Sequence, residues 1–229
     1  MEQTDIWSIN PSTSATFLRD ATTVTGGAFP RALILKANTV VPGSPPILAK
    51  DGAGYRLMFT SGGDDRGITF TINGSVVGAL DANSASTVNY PEVVTGHNAA
   101  TGVGFATSTY YYSRIDSIVI SGAAAGTLSV GTTGSLALPR CRVKGFYIVG
   151  GAGAGSLKID RHTWTTTPGA TTTVTPGIAI NVLDVTTPAG ATLTQFLSLP
   201  GQGILTGQQP TDFAVVVDTA ITDYTLFCG

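Results

Sequence analysis

Apolar and polar residues alternate in short runs along most of this chain. In Gly67–Asn73, Ile68, Phe70 and Ile72 alternate with Thr69 and Thr71. Downstream, Ile115, Ile118 and Ile120 are followed, past a Gly/Ala break, by Leu128 and Val130. A period of two is the signature of a strand, because successive side chains point to opposite faces of a sheet. Asp64-Asp65-Arg66-Gly67 and Gly122–Gly126 supply the turn residues that let such strands reverse. Ser61–Asn73 and Ile115–Gly131 are thus two versions of one plan, a short strand tied to a Gly-rich turn.

The same grammar extends to the rest of the chain. Ala32–Ala37 and Tyr55–Thr60 read as strands, as do Ser75–Leu80, Ser86–Tyr90, Glu92–Thr95, Thr101–Ala106 and Thr109–Ser113. Val41–Pro46 reads as a loop or edge, since proline removes ladder donors. After a boundary at Leu138-Pro139, strands are expected over Cys141–Val149, Ser156–Asp160, Ile178–Val185, Thr192–Leu199, Asp212–Val217 and Thr222–Cys228. Thr165–Pro176 reads as a Thr-rich hairpin, and Pro200–Ile204 as a turn. No stretch joins helical spacing to helix-forming composition. Strands separated by Gly/Pro turns at this density point to β-sandwiches or barrels. The expected fold is all-β: two small antiparallel β-sandwich or barrel-like domains, at 30–137 and 138–229, behind an extended N-terminal arm at 1–29. Trp7 and Phe17 are the residues that could anchor the arm on a neighbour, the alternative being a terminus folded back on its own domain.

Composition sharpens this picture. Hydrophobic residues are 42% of the 229-residue chain, enough for a sizeable core. Charged residues are 11%, well below the roughly 25% of an average soluble chain. The solvent face must therefore be built from Thr, Ser, Asn and Gly, which suits a protein that buries surface against copies or partners. Net charge is −2, with no basic run and no interleaving of aromatic and basic residues, which argues against nucleic-acid and charged-membrane partners. The N-terminal residues lack the basic and apolar regions of a secretory signal, and no apolar run reaches bilayer-spanning length. Cys141 and Cys228 read either as two buried small side chains or as a pair.

Few residues suggest chemistry. His97 and His162 are the two histidines; neither has further ligands at metal-site spacing, and His97 in its Gly/Asn loop reads as solvated while His162 could form a polar patch on a strand. No G-x-S-x-G nucleophile elbow occurs. Gly150–Gly155 lacks the lysine and the helix of a phosphate cradle. Asp64 and Asp65, with Asp51, could offer hard oxygens to Ca²⁺, but a turn whose Asp side chains bond their own backbone fits the spacing better. Tyr110, Tyr111 and Tyr112 on a strand place two rings on one face and one on the other. They fit an interface, ordinary strand packing or a sugar platform. No catalytic residue, metal site or cofactor is expected.

The first half resembles a module of tailed-bacteriophage structural proteins. The residues that carry the likeness are Asp51-Gly52, Tyr55–Thr60, Ser61-Gly62-Gly63-Asp64-Asp65-Arg66-Gly67-Ile68-Thr69-Phe70, Thr95-Gly96-His97-Asn98, Thr107–Tyr111 and Ile115–Gly131. The second half is similar to a small domain of phage virion proteins through Leu157-Lys158-Ile159, Pro200–Ile204 and Thr225–Gly229. The second half departs from its pattern where Cys228 replaces an aromatic, and the first where Val76–Tyr90 lacks a charged hairpin. The resemblance implies a non-enzymatic virion component, assembled in the host cytoplasm. The expected role is a capsid decoration (cement) protein, a homotrimer that bridges major capsid protein subunits. A neck or tail adaptor or collar component is the alternative in the same setting, and a carbohydrate-binding adhesin module the alternative from another class.

Overall fold

The computed structural model describes residues 7–9, 14–36, 54–76, 91–98, 105–137, 142–167, 173–188, 194–199, 204–205, 213–217 and 220–228. Among these residues no helix forms and fifteen strands do. They are β1 (Trp7–Ile9), β2 (Ser14–Thr23), β3 (Arg31–Ala32), β4 (Gly54–Ser61), β5 (Thr69–Val76), β6 (Glu92–Thr95), β7 (Phe105–Ile120) and β8 (Thr127–Ala137). After them come β9 (Arg142–Gly150), β10 (Gly155–Thr167), β11 (Thr173–Thr187), β12 (Thr194–Ser198), β13 (Ile204–Leu205), β14 (Phe213–Val217) and β15 (Ile221–Cys228). The all-β, antiparallel class expected from the period of two is the class observed. The chain divides into two compact units, Ser14–Thr133 and Met1–Thr13 with Gly134–Gly229, and β8 contributes residues to each. Val41–Pro46, Ser86–Tyr90, Leu138–Cys141, Asp51, the tip of the Thr165–Pro176 hairpin, and Pro200–Gly203 lie outside the described residues.

In the Ser14–Thr133 unit the strand order is β8-β4-β7-β5-β6, with β2 beside β8 and β3 beside β7. The long strand β7 organises it. Its first half pairs with β4, from Thr60 opposite Phe105 to Tyr55 opposite Tyr112. Its second half pairs with β5, from Val76 opposite Tyr112 to Phe70 opposite Ile120. Phe59 lies opposite Ala106 and Phe70 opposite Ile120. A straight strand would hold those two partners about 46 Å apart at ~3.3 Å per residue. Yet the rings of Phe59 and Phe70 stack with centroids 4.5 Å apart. β7 therefore bends back on itself and turns a corner, as strands do when they pass between packed layers. The ladder is interrupted at the bend, between Arg56 and Met58, Asn73 and Gly74, and Ser75 and Val76. At Gly74 a Cβ would collide with the carbonyl of Arg114, so the corner closes only with glycine there. Leu57, Phe59, Phe70, Ile72, Ile118 and Leu128 fill the enclosed core.

The other unit is built from two ladders, β1-β15-β9-β12 with β13 beside β9, and β11-β10-β14 with the end of β8. Val143, Phe146, Ile148 and Leu226 are buried on the first, and Leu136, Leu157, Ile159 and Val215 on the second. Tyr224 on β15, itself buried, donates its hydroxyl to the carbonyl of Gly134 on β8 at 2.6 Å. This bond ties the two ladders face to face as a sandwich. Gly134 has φ of 80°, a conformation that other residues rarely adopt.

The segment expected as an arm divides between the units. Trp7–Ile9 pairs with Leu226–Cys228. Ser14–Thr23 pairs with β8 and buries Leu18. Its Thr and Ala residues hide the period of two, but β-branched Thr fits a pleated sheet well. The side chains of Trp7 and Phe17 lie outside the described residues. Cys228 is buried on β15, and its possible partner Cys141 lies outside the described residues.

Candidate functional site

The tyrosine triplet sits at the corner of β7. Opposite β4, the register skips from Tyr111 to Thr107, so Ser108, Thr109 and Tyr110 bulge out of the ladder. A bulge leaves backbone groups without strand partners, and each must find another. Leu57 N–H donates to Ser108 Oγ at 2.8 Å, and Ser108 Oγ donates to the Tyr110 carbonyl at 2.9 Å. Arg56 Nε donates to the Ser108 carbonyl at 2.8 Å. The remaining donors converge on Glu92 of β6. Its carboxylate accepts Thr109 N–H, Tyr110 N–H at 3.3 Å and the Tyr112 hydroxyl at 3.0 Å. Glu92 lies opposite Ile72, which lies opposite Ile118, so this one buried carboxylate joins the two halves of β7 across the bend.

Within this unit the triplet packs as a strand filled largely by its neighbours. Tyr111 and Tyr112 are buried and Tyr110 is half-buried. The cause is the bend, which turns both faces of the strand inward. Burial, and then the Glu92 charge, push the Tyr112 phenol far above its ordinary range. Sequence reasoning passed over Glu92 because a lone acidic residue at a strand start carries no pattern.

The two Gly-rich turns singled out in the sequence meet in space. Asp65 is buried, and its carboxylate accepts the N–H of Ala125 at 2.7 Å. Its own N–H donates to the His97 carbonyl at 2.8 Å, and its carbonyl accepts Ile68 N–H at 3.0 Å. A Cβ at Gly63 would lie 2.5 Å from the Ala125 side chain, and one at Gly96 would strike the Asp65 carbonyl. The glycines are there because three loops approach at backbone distance. Asp64, by contrast, is exposed. It accepts Arg66 N–H at 3.2 Å and the Arg66 guanidinium at 2.9 and 2.7 Å, with Asn98 at 3.2 Å. The Arg66 hydrogen bonds hold the Asp64 carboxyl down at about 2. Among the described residues no group of three or more His, Cys, Asp or Glu side chains is placed to hold a metal. His97, expected to be solvated, is half-buried, and its Nε2 has no hydrogen-bond partner among the described residues. The side chain of His162 lies outside the described residues.

A second charged region, absent from the sequence reading, is the groove between β2 and residues 31–36. Arg19 of β2 donates from Nη1 to the Ile34 carbonyl at 2.9 Å and from Nη2 to Thr22 Oγ1. Its Nε is buried and has no acceptor among the described residues. Arg31 lines the same pocket, its guanidinium carbon 4.8 Å from the Phe29 ring centre. Burial, and then the Arg31 charge, pull the Arg19 guanidinium below its ordinary value. Ile34 at the rim is 83% exposed and Val93 on β6 is 62% exposed.

Comparison with known proteins adds no relative to this geometry: no protein-family model, curated protein or solved structure matches the chain.

Proposed function

We propose that this chain is a non-catalytic structural component of a bacteriophage virion, a decoration protein that assembles as a trimer and bridges major capsid protein subunits. The observation that carries this reading is the character of its surface. Charged residues are 11% of the chain, and apolar Ile34 and Val93 stand out into solvent. Val93 and Thr95 both face outward from β6, a four-residue strand that ends its sheet. A surface so poor in charge is weakly solvated and gains by being covered. The action is mechanical: each copy buries apolar and Thr-rich surface across a seam between shell subunits, and symmetry multiplies a weak contact. A glycan-binding role would draw on exposed rings, and Tyr111 and Tyr112 are in the core.

Light scattering over a hundredfold dilution, followed by co-sedimentation with phage capsid shells, tests this. The expected result is a concentration-independent trimer that saturates the shells at fixed stoichiometry. A ring of six or twelve copies that ignores shells would move the chain to the neck or tail. A strict monomer that ignores shells would overturn the proposal.

A further inference from the structure

The groove at Arg19 is held open by backbone. Leu33 N–H donates to the Ile118 carbonyl of β7 at 2.8 Å, and Lys36 N–H to the Leu18 carbonyl of β2 at 2.8 Å. Residues 33–36 therefore span from β7 to β2 as a fixed wall. Ala124 N–H donates to the Val24 carbonyl at 3.1 Å and fixes the far end of β2. Between these supports lie two adjoining pockets of about 190 and 250 Å³, with Arg19 and Ile34 lining both.

Among the described residues the charge inside meets carbonyl and hydroxyl oxygens but no carboxylate. Arg19 and Arg31 both line the smaller pocket. Among the described residues neither forms an ion pair, and Asp20, next to Arg19, is taken by Lys36 at 2.7 Å. Among the described residues Arg31 has one weak hydrogen bond, to the Thr25 carbonyl at 3.4 Å. The Arg19 guanidinium is shielded from water on its Nε edge, where it also lacks an acceptor among the described residues. Two like charges in one recess, one of them partly desolvated, call for an anion. The rest of the lining describes what the anion is attached to. Val24 and Leu33 are buried apolar side chains at the pocket, and exposed Ile34 also lines it. A phosphate or sulfate presents oxygen on every side and would waste that wall. A carboxylate has two oxygens on one side and hydrocarbon on the other, and its planar pair of oxygens suits a guanidinium.

We propose that this groove is a carboxylate-binding site, in which Arg19 and Arg31 hold the anionic group while Val24, Leu33 and Ile34 hold the branched hydrocarbon that carries it. The carboxylate reaches it either as a free organic acid or on a protein, from an acidic side chain or a chain terminus. The site stands apart from the assembly role proposed above and does not depend on it.

The test is a titration of the intact chain with isovalerate at constant ionic strength, read from the arginine Nε–H resonances. A saturable shift at Arg19 and Arg31 is expected, with formate about tenfold weaker or more for want of the hydrocarbon. Arg31→Gln is expected to weaken isovalerate by about tenfold. Ile34→Thr, at an exposed position that packing does not constrain, is expected to weaken isovalerate and leave formate unchanged. N-acetylvaline and N-acetylglutamate amide then separate a terminal carboxylate from a side-chain one, and saturation by either supports the site. A shift that never saturates, an equal response in Arg31→Gln, or phosphate binding as tightly as isovalerate would overturn it.

Discussion

Glu92 and Arg19 are both charged residues drawn into the Ser14–Thr133 unit, and the protein treats them oppositely. The Glu92 carboxylate is buried and receives three donors, two of them backbone N–H groups of the β7 bulge. Arg19 is half-buried, shares its pocket with another arginine and keeps one buried donor unbonded among the described residues. Burying a charge is costly unless hydrogen bonds replace its hydration. At Glu92 the replacement comes from the fold itself, so the charge serves the architecture. At Arg19 the fold leaves the replacement incomplete, and the shortfall is the physical ground for a ligand. A satisfied buried charge marks structure, and an unsatisfied one marks a place to look for a partner.

The contrast can be broken most forcefully at Glu92. Glu92→Ala leaves the N–H groups of Thr109 and Tyr110 and the Tyr112 hydroxyl without their acceptor, and should cost about 3–5 kcal/mol in urea unfolding. Retention of full stability would mean that the corner of β7 is held by packing alone. Tyr112→Phe removes one charge-assisted bond and should cost about 1.5–3 kcal/mol. It also tests the alkaline limb. Burial and the Glu92 charge keep the folded Tyr112 protonated, whereas the unfolded phenol ionises near ~10. Above that pH the folded state holds the extra proton, so stability falls as pH rises, by up to about 1.4 kcal/mol per pH unit from this group. The wild type should show this loss between pH 10 and 11, and the difference from Tyr112→Phe should shrink across the same interval.

At the groove the opposite is expected. Arg31→Gln should change stability by less than about 0.5 kcal/mol, with the sign favouring the variant because Arg19 loses a like-charged neighbour. A cost above ~1 kcal/mol would make Arg31 a structural residue like Glu92. The smallest effect is at the exposed pair. In Arg66→Ala the Asp64 carboxyl should titrate near ~3.9 rather than at about 2, measured by NMR. The depressed value means that any stabilisation is present above the unfolded pKa and lost as pH falls through the folded one. Because both side chains are exposed, the two proteins should unfold alike at neutral pH.

Much of the strand pattern was legible because a sheet with one buried face enforces alternation. Ile68–Asn73 and Ile118–Ile120 follow it: Phe70, Ile72, Ile118 and Ile120 are in the core, with Ile68 half-buried at the strand's edge. The glycines of 61–67 and 121–126 were legible as turns, and Asp64 as a carboxylate engaged with its own turn. β2 was missed as a strand because its Thr-rich sequence alternates weakly. The tyrosine triplet was legible as a strand but not as a corner. Alternation reports which side of a strand faces a core, and it cannot report that the strand bends so that both sides do.

The sequence by itself determined the all-β class, the antiparallel plan and most strand positions, since these follow from local periodicity and turn chemistry. Only the tertiary structure decided that the two Gly-rich turns pack on one another through Asp65, and that one glutamate collects three donors of the β7 bulge. It alone brought Arg19 and Arg31, twelve positions apart in sequence, into one recess. These features depend on contacts between residues far apart along the chain, and such contacts leave no period for a sequence to display.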